Sequence, residues 1–330
     1  MTAAVPLVET TRGPFVESQH FGHAVIARAN GEIVEAWGDP AKTVLPRSSA
    51  KMLQALPLLE SGAGAHLSTE QLALACASHS GEQRHVDHVS EWLGALGLGE
   101  GALKCGPQAS RDAALKHQMI RQSVAPNRVF NNCSGKHAGF LTLARHLGAS
   151  LDYVDPHNPV QMTVRAAFEE TCSEDSPGFG IDGCSAPNFA ASLAGIARAM
   201  AVFASVGTGS GARDTAMVAL RQAMIAHPEL VSGKGRSCAG LMQAARGAAA
   251  VKTGAEGFFV AILPTLGMGA ALKIEDGATR ASEAAMAAIL VRLGVVAATD
   301  PRVARFLAPP ILNWDGLSVG AIRATSALVH

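Results

Sequence analysis

The spacing of apolar and polar positions changes rhythm twice along the chain. From Phe21 to Gly38 it alternates: His23, Val25 and Ala27, then Ile33, Val34 and Ala36, flank Asn30-Gly31. A period of two on either side of Asn-Gly predicts a hairpin with a type I′ turn. The spacing then lengthens. Met52, Leu53, Leu56 and Leu59 share roughly one helical face within Val44 to Leu59, with Pro57 expected to kink or shorten the helix. From Ser68 to about Val251 helical spacing dominates. Ser68-Thr69-Glu70-Gln71 reads as a helix start with a capping box, and Asp155-Pro156 as a weaker start. Glu174 to Gly180 reads as a loop, and so does Gly207 to Gly211, ahead of a helical segment from Arg213 to about His227. Strand patterns return at Gly257 to Leu263 and Met268 to Glu275, joined by a turn holding Pro264 and Gly267. Glu283 to Leu293 predicts a helix and Gly316 to Ala324 a last strand.

Strands at both ends and helices between them predict an α+β fold: one sheet built from N- and C-terminal strands, with a helical region inserted. A sheet lobe would take about 1–60 plus 250–330, and a mainly helical lobe about 61–249, the two serving as one unit of 330 residues. No internal repeat or low-complexity tract interrupts this plan.

Composition narrows what such a fold serves. With 48% hydrophobic and 16% charged residues, the chain can order most of its length. Lys plus Arg number 27 and Asp plus Glu number 27, with no basic run, which argues against nucleic acid or an anionic membrane as the main partner. Aromatics are 5%, so base stacking and aromatic-rich interfaces lose ground. Met1 to Glu17 carries Glu9, Arg12 and Glu17 and no apolar signal-peptide core. The longest uncharged stretch, Gly257 to Leu272, is 16 residues with Pro264 inside it, short for a membrane span. A cytoplasmic protein is expected. Its six cysteines are then core residues, metal ligands or reactive thiols rather than a disulfide scaffold.

Four constellations could carry chemistry. In Arg47-Ser48-Ser49-Ala50-Lys51, a helix would bring Ser48 Oγ and the Lys51 amine to one face, within hydrogen-bond reach. A lysine in a partly desolvated pocket can act as base for a serine nucleophile. S-x-x-K opens the active site of penicillin-recognising serine enzymes. The plainer alternative is an exposed helix start with Ser48 as N-cap. In Ser78-His79-Ser80-Gly81-Glu82, Ser80 is a second nucleophile or a proton relay, or else part of a helix end capped at Gly81. Lys252-Thr253-Gly254 matches the K-T-G element of the same penicillin-recognising set, where the lysine supplies positive potential and the strand lines the acyl site. Alone it is a polar turn leading into a strand. S-x-x-K followed by K-T-G in one chain strengthens a Ser-Lys acyl-transfer reading.

The fourth constellation is Asn131-Asn132-Cys133-Ser134-Gly135-Lys136-His137, with Asp182-Gly183-Cys184 further on. Cys133 and Cys184 could share a zinc ion, or be two buried small hydrophobes. A lysine ligand must be neutral, which is unusual, so spacing alone favours His137 as the third ligand over Lys136. Other patterns are missing or bland. No H-E-x-x-H or P-C-x-x-C is present, and Gly207 to Gly211 lacks the ending of a phosphate-binding loop. His85 and His88 read as a solvated helix face, and Cys76, Cys105, Cys172 and Cys238 as structural.

Taken together these blocks resemble the Rhizobium-type L-asparaginases, the class 3 or asparaginase II family. The likeness rests on Val8-Glu9 with Arg12-Gly13, Arg47 to Lys51, Ala75-Cys76-Ala77-Ser78-His79-Ser80-Gly81-Glu82, Asn132 to Gly139, Asp182-Gly183-Cys184-Ser185-Ala186-Pro187 and Lys252 to Gly257, in that order over nearly the whole chain. The T-G-G-T loop and G-T-V-G site of the asparaginases that use threonine are absent. The resemblance implies a fold similar to serine β-lactamases and glutaminases. It implies two Ser-Lys pairs, Ser48 with Lys51 and Ser80 with Lys252, and a zinc site at Cys133, Lys136 and Cys184 in place of His137. Asp182 matches a residue beside the substrate's amino group, and Arg47 and Asn132 are further substrate-binding candidates. The family's F-D-T-x-L-M-like stretch is replaced here by Ser237-Cys238-Ala239-Gly240-Leu241-Met242, which puts in doubt any role carried over to it.

The activity implied is hydrolysis of L-asparagine to L-aspartate and ammonia through an acyl-enzyme, by a homodimer with zinc as cofactor. Ser48 attacks, Lys51 takes its proton, and Ser80 with Lys252 relays a proton to the leaving ammonia. Three rivals share parts of the pattern: a glutaminase or other amidase, a β-lactam-recognising serine hydrolase, and a catalytically inactive amino-acid-binding protein.

Overall fold

The computed structural model describes residues 3–207, 209 and 211–329. These form two compact units. The first takes 3–49, 191–205 and 240–329, and the second 50–190 and 206–239.

The first unit is built on a sheet. Its strands are β1 (Val5–Arg12), β2 (Phe15–Arg28) and β3 (Ile33–Trp37), then a short β4 (Thr43–Val44). Two three-residue strands of the second unit follow, β5 (Phe179–Ile181) and β6 (Pro187–Phe189). The first unit resumes with β7 (Ala191–Ser192), β8 (Ala250–Thr253), β9 (Phe258–Leu263), β10 (Met268–Ile274), β11 (Pro310–Leu312) and β12 (Ser318–Ala324). The spatial order β11-β12-β1-β2-β10-β9-β8 joins N- and C-terminal strands in one antiparallel sheet. β2 is long enough to pair β1 along its first half and β3 along its second, while β10 lies on its other side. The Asn30-Gly31 turn closes the β2–β3 hairpin with Gly31 at φ 90°, as its sequence predicts. β4 pairs β7 outside the main sheet.

The helices in chain order begin with α1 (Lys51–Glu60), α2 (Thr69–Ala75), α3 (Gln83–Ala95), α4 (Ala113–Arg121), α5 (Ser134–His146) and α6 (Pro159–Cys172). They continue with α7 (Leu193–Ser205), α8 (Ala212–Ala226), α9 (Pro228–Val231), α10 (Ser237–Ala245), α11 (Thr279–Arg292), α12 (Pro301–Leu307) and α13 (Ser326–Val329). In the first unit α7 packs on β2, β9 and β10, and α11 on β1, β9, β10 and β12. All six residues of β9 are buried, so both faces of the sheet centre are covered. Gly269 marks the closest approach: a Cβ there would lie 2.2 Å from Ala197 O and Ala201 N of α7.

The second unit packs α1 among α5, α6 and α8. Lys51 to Leu58 is buried without interruption, which explains why α1 shows little amphipathic contrast in sequence. The capping box at Ser68 forms as predicted, with Ser68 Oγ accepting from Gln71 N and Gln71 Oε1 accepting from Ser68 N. Asp155-Pro156 does not start a helix. α6 begins at Pro159, where the Asn158 side chain caps Val160 N and proline fills the first turn. Of the loop expected at Gly207 to Gly211, Thr208 and Ser210 lie outside the described residues. Among the described residues no helix is long and apolar enough to cross a membrane.

Candidate active site

Ser48 lies in a 3-10 turn, Arg47–Ala50, that runs into α1. Arg47 holds φ 53°, a left-handed backbone that costs a non-glycine residue and concentrates at functional turns. Ser48 is half-buried just after it. Ala50, not Ser48, stands at the N-cap of α1, and no side chain caps that end. In the same unit Ser49 Oγ donates to Lys252 O at 3.0 Å. A Cβ on Gly254 would meet Pro46 O at 2.7 Å and Ser49 Oγ at 2.8 Å. The K-T-G segment therefore runs directly beside the turn that carries Ser48. Lys252 and Thr253 are not a turn before a strand. They form β8 itself, the edge strand of the sheet. Lys252 is fully buried, and its Nζ donates to Thr253 O at 2.7 Å.

Lys51 opens α1 in the second unit and is also fully buried. Its Nζ donates to Ala77 O, to Ser78 Oγ at 3.1 Å and to Cys133 Sγ at 3.1 Å. One nitrogen thus draws together three segments far apart in sequence.

The Ser78 to Gly81 segment is neither helix nor helix cap. α2 ends at Ala75, and α3 begins at Gln83 with Glu82 as its N-cap. The loop between is fastened to the 231–234 segment. Ser78 N donates to Val231 O at 2.8 Å, and Ser80 Oγ donates to Ser232 O at 2.9 Å. Ser80 is 6% exposed. The solvated face expected at His85 is not found: His85 is buried and its ring stacks on His79 at 4.9 Å. Burial, then the nearby charges of His85, Lys51 and Arg111, keeps His79 well below the usual histidine range.

The sulfur site forms in the second unit between the Cys133 turn and the loop after β5. Gly135 lets this turn close on α2, since a Cβ there would lie 2.4 Å from Leu74 O. Lys136 Nζ donates to Cys184 Sγ at 3.1 Å, and the Cys133 thiol hydrogen-bonds to the same sulfur. Cys184 is held down to about 4 by the Cys133 thiol and the Lys136 ammonium, against the cost of burial. Cys133 is pushed up to about 12, as the thiol that donates to Cys184 and by burial. Burial disfavours the Lys136 charge, but the Cys184 and Cys133 sulfurs outweigh it and raise its pKa.

Two sulfurs and a nitrogen make a soft donor set of the kind zinc accepts, once Cys133 and Lys136 give up their protons. Among the described residues no group of three or more His, Cys, Asp or Glu side chains could hold a metal ion. His137, the ligand that spacing favoured, turns away: its Nδ1 meets Tyr153 OH at 2.9 Å.

Asp182 is half-buried, two residues before Cys184, and its Oδ1 accepts from Gly183 N at 2.7 Å. Asn132 Oδ1 lies 3.3 Å from Cys133 Sγ, and Asn132 N donates to Gln108 Oε1 at 2.9 Å. Ser78 and His79 are side chains beside Lys51 and Ser134 that sequence reasoning did not single out. The signal for them was their place inside the Ala75 to Glu82 block.

Comparisons with known proteins bear on the family. No curated protein matches the chain. A solved structure described as Mglu in its tris and glutamate form aligns at 13% identity and a TM-score of 0.47, over 90% of this chain and 65% of that one. The chain thus spans less than two thirds of that protein's length. A second Mglu structure aligns at 12% identity and a TM-score of 0.46, over 84% of this chain and 68% of that one. A β-lactamase from Mycobacterium bovis aligns at 12% identity and a TM-score of 0.34, over 82% of this chain and 94% of that one. A family model described as L-asparaginase II matches residues 8–324, which include every segment of the site, and the chain therefore belongs to the L-asparaginase II family.

Proposed function

We propose that this amidohydrolase-family protein hydrolyses L-asparagine to L-aspartate and ammonia through an acyl-enzyme on Ser48. The observation that carries the reading is the buried Lys51 Nζ, where the start of α1, the Ser78 loop and the Cys133 turn meet. Ser48 is the nucleophile because it is the accessible serine and follows the strained Arg47. Ser80 is nearly buried and spends its proton on a backbone carbonyl.

Ser48 Oγ attacks the side-chain amide carbon, and its proton passes to Lys51. Before that step Lys51 must give up one of its own protons. Ser78, whose hydroxyl both accepts and donates, is the exit. The C–N bond then breaks as the proton taken up by Lys51 is relayed through Ser80 and Lys252 to the leaving nitrogen, which departs as ammonia. The buried Lys252 adds positive potential for the oxyanion. Water hydrolyses the aspartyl ester and regenerates Ser48. Asp182, with Arg47 and Asn132, binds the substrate's charged and amide groups.

Cys133, Lys136 and Cys184 would hold a zinc ion. When bound it supplies fixed positive charge and ties together the two loops that carry Asn132 and Asp182. The nucleophile is already supplied by serine, so no metal hydroxide is needed.

The test is to quench the enzyme during turnover of L-asparagine and map the adduct by mass spectrometry. An aspartyl ester on Ser48 supports the reading. An unmodified Ser48 with an ester elsewhere refutes the assignment, and faster turnover of glutamine than asparagine refutes the substrate.

A further inference from the structure

One imidazole in the second unit makes more polar contacts than packing requires. His79 is fully buried. Its Nδ1 accepts from Gly81 N at 3.1 Å, so the ring proton is on Nε2. That Nε2–H donates to Ser134 Oγ at 2.8 Å, and Ser134 Oγ donates onward to Val129 O at 2.8 Å. The His79 backbone N–H donates to Asn132 O at 3.2 Å. The stacked His85 is fixed in turn: its Nδ1 accepts from Glu82 N at 3.1 Å and its Nε2 donates to Glu229 O at 2.9 Å. An apolar ring of similar size would fill the space but leave Gly81 N–H and Ser134 Oγ without these partners.

The residues on either side of His79 are those the chemistry uses. Ala77 O and Ser78 Oγ accept from Lys51, and Ser80 Oγ lies one residue beyond. Ser134, the other end of the bridge, opens α5 directly after Cys133. We propose that His79 is a positioning residue: through its Nδ1 acceptor and Nε2 donor it locks the 77–81 loop to the first turn of α5. Lys51 and Ser80 then stand at fixed places without His79 touching substrate. This role rests on the amidohydrolase reading above.

The test compares His79→Ala, His79→Asn and Ser134→Ala in the full chain. The readouts are kcat and KM for ammonia release, deuterium exchange of the peptide over 77–82, and thermal midpoint. A misplacement of about 1 Å costs on the order of 100-fold in turnover. His79→Ala is expected to lose kcat on that scale with little change in KM, and to exchange faster over 77–82. Asn places an amide oxygen where Nδ1 stood, so His79→Asn should restore most of kcat and of the protection. Ser134→Ala, which keeps the Gly81 contact, should fall between.

The proposal is overturned if folded His79→Ala keeps native kcat and protection. It is equally overturned if Ala and Asn lose kcat alike, in step with the thermal midpoint. If His79→Ala does not fold, Ser134→Ala decides by the same readouts. If the native chain turns over neither asparagine nor glutamine, the functional reading fails on its own, and exchange over 77–82 still decides whether His79 holds the loop.

Discussion

Replacing Gly233 with alanine should displace Ser80. A Cβ at 233 would lie 2.2 Å from Ser80 Oγ, 2.7 Å from Ser80 Cβ and 2.7 Å from Glu82 Oε1. Relaxed contacts between heavy atoms sit near ~3.5 Å, so something must move by about 1 Å. Neither neighbour is free to yield. Ser80 Oγ is bonded to Ser232 O, and Glu82 Oε1 accepts from Lys234 N at 2.8 Å. Gly233 also holds φ +131°, a conformation L side chains rarely adopt, at a cost of order 1–3 kcal/mol. Losing the Ser80 bond adds about 1 kcal/mol. Together these place the destabilisation at roughly 2–4 kcal/mol. The displaced Ser80 should cost on the order of 100-fold in kcat. The assay is ammonia release with kcat and KM resolved, beside a thermal melt of the same sample. A lowered melting point with kcat reduced on that scale and KM little changed is expected. A folded Gly233→Ala with native kcat would refute the placement of Ser80 in the reaction.

Three further outcomes follow from the site. Between 9.0 and about 4 the folded chain keeps Cys184 ionised while the unfolded chain protonates it, so this contribution to stability is lost as pH falls through that window. The raised Cys133 contributes below 9.0 and is lost as pH rises towards about 12. Urea midpoints of chelator-treated protein should therefore drop towards acid pH, and Cys184→Ala should flatten the drop; an unchanged slope counts against the thiol–thiolate pair. Zinc added to the metal-free chain should slow modification of Cys133 and Cys184 by a thiol reagent, and Lys136→Met should abolish the protection; labelling indifferent to zinc would count against the metal site. Gly135→Ala drives a Cβ onto Leu74 O and should destabilise by about 1–3 kcal/mol, read as a lower urea midpoint; a native midpoint would show that α2 and α5 can move apart.

Periodicity exposed the elements that are apolar on one face or closed by a strong turn. The Asn30-Gly31 hairpin and the β9–β10 pair, closed by its Pro264 to Gly267 turn, are of this kind. It failed where burial is all-round or where caps are side-chain business. β1 was missed because Pro6 and paired buried positions break the alternation, and its place is set by β2 and β12 on either side. α7 falls within the stretch that sequence gives to the helical region, yet it packs on the sheet, with Gly269 leaving room for its backbone. At the site, the motifs named the right segments. Spacing could not show that Lys51 would turn towards Ser78 and Cys133, or that His137 would turn towards Tyr153. Those choices depend on contacts between residues distant in sequence, which no local pattern encodes.

The central claim is that Ser48 is the nucleophile of an asparagine amidohydrolase. Ammonia release from L-asparagine by the native chain, Ser48→Ala and Ser80→Ala, with zinc supplied, tests it most directly. The account predicts release by the native chain, background release by Ser48→Ala, and slowed but measurable release by Ser80→Ala. Full activity in Ser48→Ala with none in Ser80→Ala, or no release by the native chain, would contradict it.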